Sequence, residues 1–149
     1  MKSLLLLVGI CLWQPAHAAS TSQCTDARGL AAEAATDTLT SWQTIYSVYE
    51  RYHSCDDGGV AEGYSNGVVH LLATHWNKLP TLDALAKKHP PFREFVLSHI
   101  DATADTDELQ EIVAFSKSQC RPSLTTLCKA IGRAAASAVQ ESNDVLHKP

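Results

Sequence analysis

The residues with the clearest chemical pattern are Gly63 to Gly67, whose sequence GYSNG matches the G-x-S-x-G signature of a serine nucleophile. In that signature the serine stands on a sharp turn between an apolar strand and a helix. Here the preceding residues, Asp56 to Gly59, are acidic or glycine, and no acid and histidine follow in a framework of strands and loops. We therefore interpret the match as coincidental and assign no catalytic residue.

Three glycines occur in and before this segment at a helical spacing. Gly59, Gly63 and Gly67 recur every four residues, so on a helix they form a ridge without side chains. We expect another helix to pack closely on this ridge, and the alternative is a ligand-binding groove beside it. The candidate ligand-binding residues are two ridge glycines and their polar neighbours: Glu62, Gly63, Asn66, Gly67 and His70.

The histidines and acids do not predict a metal site. His70 and His75 are five residues apart, which turns them by roughly 140° on a helix and prevents them from sharing one metal ion. His75 and His99 fall within apolar arcs, so we expect both to be buried and hydrogen-bonded. The acidic residues between 56 and 62 lack EF-hand spacing and are expected to cap a helix. No metal and no cofactor is predicted.

Hydrophobic periodicity predicts an all-α fold for residues 19–149, which follow a predicted signal peptide described below. We expect these residues to form a single compact domain of five or six helices, with a tail that frays after about residue 140. The predicted helices are an aromatic segment that ends at Tyr52, a helix from 60 to 77, a short helix opened by Pro80, a fourth from Pro91, a fifth capped by Asp105, and a last from Pro122.

Four cysteines remain after residue 18, and four allow three disulfide connectivities. We favour Cys120 with Cys128, because Arg121-Pro122 lets the chain turn between them, which leaves Cys24 with Cys55. A straight helix would hold the latter pair about 40 Å apart, so this pairing requires a break near Thr36-Asp37. An unbroken helix would favour a crossed pairing instead. Zinc is disfavoured because no C-x-x-C pair is present.

The first eighteen residues predict a signal peptide, with Lys2, an apolar run from Leu4 to Leu12 and the cleavage signal Ala16-His17-Ala18. The apolar run is too short to span a membrane, so we expect a periplasmic or secreted protein without membrane insertion after cleavage. Removing Lys2 with this segment leaves 11 basic and 16 acidic residues, a formal charge of −5. The scattered basic residues give no footprint for nucleic acid.

Three functions agree with these features. The first is binding to another protein, as an inhibitor or immunity protein, and the chain resembles the small helical immunity proteins that block cell-wall amidases in size, predicted export and disulfide count, although no residue motif is shared. The second is a cell-wall or small-molecule hydrolase with its site near Glu62, Ser65, Asn66 and His70. The third is a structural or ligand-carrying envelope protein. Exposure of Tyr46 or Tyr64 would indicate a partner or homodimer surface.

Overall fold

The structure, a computed structural model, describes residues 23–147, so the predicted signal peptide lies outside the described residues. This part of the chain folds into seven α-helices without a strand. The helices are α1 (Asp26–Thr36), α2 (Trp42–Tyr52), α3 (Gly58–Thr74), α4 (Leu79–Lys88), α5 (Pro90–Ser98), α6 (Thr106–Ser118) and α7 (Thr125–Leu146). Three short 3₁₀ turns, His53–Cys55, Trp76–Lys78 and Pro122–Leu124, join some of them. The all-α prediction is confirmed.

The expected count of five or six helices is corrected to seven over residues 23–147, because the N-terminal segment is two helices. The break falls after Thr36, as the disulfide argument required. Ser41 then starts α2 with a capping box, in which its Oγ accepts from the backbone N–H of Thr44 and the Thr44 Oγ1 accepts from the Ser41 N–H. These bonds satisfy donors that the start of a helix otherwise leaves free, so α2 begins here as a separate helix.

Both favoured disulfides are present. Cys24 bonds Cys55 with 4.9 Å between their Cα atoms, and Cys120 bonds Cys128 with 6.1 Å. The first joins the residues before α1 to the end of the turn after α2, and the second joins the residues after α6 to the first turn of α7. Two disulfides indicate an oxidising, non-cytoplasmic environment.

The core forms around α3, which contacts α1, α2 and α6, while α6 and α7 pair along their length. Its buried side chains come from every helix; the largest fully buried ones are Trp42, Tyr64, Phe92, Ile45, Leu72, Leu82, Leu109, Ile112 and Ile131. Over residues 23–147, no helix has both the length and the apolarity that crossing a membrane requires. α7 extends to Leu146, and the fraying of the tail stays a prediction.

Two histidine expectations have opposite outcomes. His99 is buried, with 5% of its surface exposed, and it is hydrogen-bonded as expected. His75 is exposed, so its predicted burial is wrong. The reason is that α3 ends at Thr74 and the chain turns into a 3₁₀ segment at Trp76, whereas the prediction continued one helical periodicity to residue 77.

Candidate functional site

The glycine ridge of α3 packs directly under α1 and the residues that follow it. A Cβ atom added at Gly63 would lie 2.5 Å from the Thr36 Oγ1, and one at Gly67 would lie 2.8 Å from the Leu39 Cβ. Ordinary contacts between such atoms are about 3.5–4.0 Å. The expectation of close helix packing is therefore confirmed at Gly63, where no side chain fits between α3 and α1, while Gly67 is covered by Leu39 from the connection between α1 and α2.

A shallow groove of about 530 Å³ runs along the outer edge of this contact. Three of the five candidate residues, Glu62, Gly63 and Asn66, line it from α3. The other two lie apart from it: Gly67 is covered by Leu39, and His70 contacts α6, where its Nδ1 is 2.7 Å from the Glu108 Oε1. The remaining lining residues are Leu30, Glu33, Ala34, Thr36, Asp37 and Gly59. We call this surface the α1–α3 groove.

The α1–α3 groove is acidic and has an exposed apolar side chain. Glu33, Asp37 and Glu62 line it, and no basic residue is among its lining residues. Leu30 on α1 is 70% exposed and lies at the edge of this charged groove. The groove therefore offers carboxylates and one apolar contact to whatever binds it.

Ser65, the serine of the G-x-S-x-G match, lies on the other side of α3, in the core. Its Oγ donates to the Asp101 Oδ2 at 2.6 Å and is 3.1 Å from the His99 Nδ1. The His99 Nε2 is in turn 3.0 Å from the Asp56 Oδ2. The fold thus brings a serine, a histidine and two acids together, although they come from three different segments. We call these four residues the Ser65 network.

The Ser65 network is closed to a substrate. Ser65 is 1% exposed, it lies inside a regular helix, and its hydroxyl proton is directed at a carboxylate. A nucleophilic serine instead needs an exposed Oγ and a base that takes its proton. The geometry therefore gives the match a structural role: the network ties α3 to the turn before it and to the turn after α5.

Asp101 is held in its ionised form within this network. Burial alone would raise the pKa of its carboxyl group, but hydrogen bonds from Ser65 and Thr103 and the neighbouring His99 outweigh burial and lower that pKa below the ordinary value. The Thr103 backbone N–H donates to the Asp101 Oδ1 at 2.8 Å. Asp101 is thus an anion that accepts hydrogen bonds on both oxygens.

The partners of Ser65 were not identified from the sequence. One signal was present: Ser65 lies between Tyr64 and Val68, both fully buried, and a polar side chain in such a position must find hydrogen-bond partners. The acidic residues 56 and 57 were expected to cap a helix. This is correct for Asp57, which accepts from the Gly58 N–H at 2.8 Å, while Asp56 bonds His99.

Two further expectations concern surfaces and metals. Tyr64 is fully buried and contributes to no partner surface, whereas Tyr46 is half-buried and its hydroxyl is 3.0 Å from the His89 Nδ1. Among the residues that the structure describes, no group of three or more His, Cys, Asp or Glu side chains is placed to hold a metal ion.

Comparison of the chain with protein-family models, with curated proteins and with solved structures finds no match.

Proposed function

We propose that this protein is exported to the periplasm or secreted, and that it binds another protein as an inhibitor or immunity protein through the α1–α3 groove. The observation that carries the proposal is the composition of this groove, with three carboxylates, no basic residue and the exposed Leu30. Charge complementarity then favours a partner with a positively charged surface. Leu30 supplies the apolar contact that protein interfaces place among polar ones.

The construction of the groove also supports protein binding. α1 is fixed to the domain by the Cys24–Cys55 disulfide, and it lies against α3 without intervening side chains at Gly63. The two walls of the groove are therefore held in one arrangement before a partner arrives. A rigid surface loses less conformational freedom on binding, which favours affinity.

The test uses the oxidised protein without residues 1–18 as bait for exported proteins from its natural source. The groove variant is Glu33→Lys with Glu62→Lys, and the matched control is Glu111→Lys with Glu141→Lys, which changes the total charge equally on exposed residues outside the groove. We expect wild type and control to retain one stoichiometric partner, whose activity falls on mixing, and the groove variant to lose it.

A second pair of variants separates the apolar contact from charge. Leu30→Ser is compared with Val145→Ser, since both side chains are 70% exposed and Val145 lies near the end of α7. We expect Leu30→Ser alone to weaken the complex. Equal capture by all variants would refute the groove as the binding surface. Failure of wild type to retain any stoichiometric partner would refute protein binding itself.

A further inference from the structure

The hydrogen bonds of the Ser65 network determine how many protons His99 carries. A serine hydroxyl has one hydrogen, and that of Ser65 is directed at the Asp101 Oδ2, 2.6 Å away. The same Oγ is 3.1 Å from the His99 Nδ1, and with its hydrogen already donated it can only accept there. The Nδ1 atom must then be an N–H donor.

The other ring nitrogen gives the same result. The His99 Nε2 is 3.0 Å from the Asp56 Oδ2, and an ionised carboxylate has no hydrogen to donate. The Nε2 atom must therefore carry a proton as well. All three hydrogen bonds can exist together only if His99 is a doubly protonated imidazolium.

We infer that His99 is a buried imidazolium between two carboxylates, and that its Nδ1 proton acts as a pH-sensitive latch joining α3 to the turn after α5. The groups around the ring agree with a cation. Asp56 contacts it from the turn before α3, and Asp101 from the turn after α5 through Ser65. Tyr64 contacts it from α3 with 5.4 Å between ring centroids. This tyrosine is neutral, because burial raises the pKa of its hydroxyl.

Loss of one proton from His99 changes the hydrogen bonds of the Ser65 network in a defined way. A neutral His99 keeps its Nε2 proton for Asp56, so its Nδ1 atom becomes an acceptor. The single hydroxyl hydrogen of Ser65 can then go to the Nδ1 atom or to Asp101, but not to both. Asp101 still accepts from the Thr103 backbone N–H and Oγ1. Raising the pH therefore removes one of the two hydrogen bonds by which Ser65 joins α3 to the turn after α5.

The first measurement counts the N–H protons on the His99 ring. With nitrogen-15 in the histidine rings of the oxidised protein, nuclear magnetic resonance at pH 5.5 should show two His99 N–H signals that exchange slowly with water. At pH 8.5 it should show one, on Nε2. Exposed His147 is the reference for ordinary exchange. A single protected N–H at pH 5.5, or a neutral ring with its proton on Nδ1, would overturn the inference.

Hydrogen exchange of the backbone amides measures how strongly the turn after α5 is held to α3. After correction for the intrinsic effect of pH, we expect the Thr103 and Ala104 amides to lose about tenfold in protection between pH 5.5 and 8.5, the equivalent of one hydrogen bond. Ser65→Ala should remove this pH dependence, and Ser98→Ala, whose hydroxyl bonds only the Phe95 carbonyl, should retain it. If Ser65→Ala does not fold, the ring N–H signals of the wild-type protein still test whether His99 carries two protons. Equal protection at both pH values would contradict the latch.

Discussion

Replacing Gly63 by alanine adds a methyl group where α1 leaves no space for it. The new Cβ would lie 2.5 Å from the Thr36 Oγ1, 2.6 Å from its Cβ and 2.7 Å from its Cγ2. A rotation of the Thr36 side chain moves two of these atoms, but its Cβ is fixed to the α1 backbone, so α1 must shift. Such overpacking costs about 1–3 kcal/mol, and the higher helix propensity of alanine returns about 1 kcal/mol. We therefore expect the free energy of unfolding to fall by up to about 2 kcal/mol.

Urea denaturation of the oxidised protein measures this change, with Gly29→Ala as the control. A Cβ at Gly29 lies 3.7 Å from the Cys24 Sγ, an ordinary contact, so this variant should be as stable as wild type or up to about 1 kcal/mol more stable. Thr36→Gly removes the obstructing Cβ, so combining it with Gly63→Ala should give a coupling energy of at least about 1 kcal/mol. Additive effects of the two substitutions would refute the steric explanation.

Three other predictions concern the core, the disulfides and acid stability. The Tyr64 Oη is buried without a hydrogen-bond partner among the described residues, so Tyr64→Phe should leave the Tm unchanged or raise it, and a clear fall would contradict this. Replacing both cysteines of Cys24–Cys55, which closes 31 residues, should cost roughly 3.7 kcal/mol by chain entropy, against roughly 2.5 kcal/mol for Cys120–Cys128, which closes 8; urea denaturation should give this order. Because the pKa of Asp101 is lowered in the folded state, its ionised form stabilises the fold above the ordinary carboxyl pKa, and that contribution is lost as pH falls below it. Asp101→Asn should therefore flatten the acid limb of the stability curve below about pH 4, and an unchanged limb would contradict the assignment.

Local signals explain how much of the fold could be predicted from the sequence. Asp105 was expected to cap a helix, and its Oδ1 accepts from the Asp107 and Glu108 N–H groups. The break after Thr36 followed from a covalent constraint, because the favoured disulfide could not form across a straight helix. Helix caps and prolines act over a few residues, and a disulfide closes a loop through a covalent bond. Their effects can therefore be predicted from the sequence alone.

The Ser65 network could not be predicted from such local signals, because its four residues come together only in the folded chain. Ser65 and Asp101 are 36 residues apart, and Asp56 and His99 are 43 apart. Their contact depends on how α3 and α5 pack, which periodicity does not specify. The groove was found only in part for the same reason: three of its predicted residues share a face of α3, but its other wall is α1, whose position depended on the break and the disulfide.

The two proposals concern opposite sides of one helix and can be tested independently. Ser65 is two residues from Gly63, about 160° around α3, so one side of the helix contacts α1 and the groove while the other binds His99 and Asp101. Glu62 is exposed and takes part in none of the hydrogen bonds of the network, so its substitution should leave the His99 ring signals unchanged. If Glu33→Lys with Glu62→Lys abolished partner binding and also altered those signals, the variant would have disturbed α3 itself. Lost binding with unchanged ring signals would instead assign the loss to the groove surface.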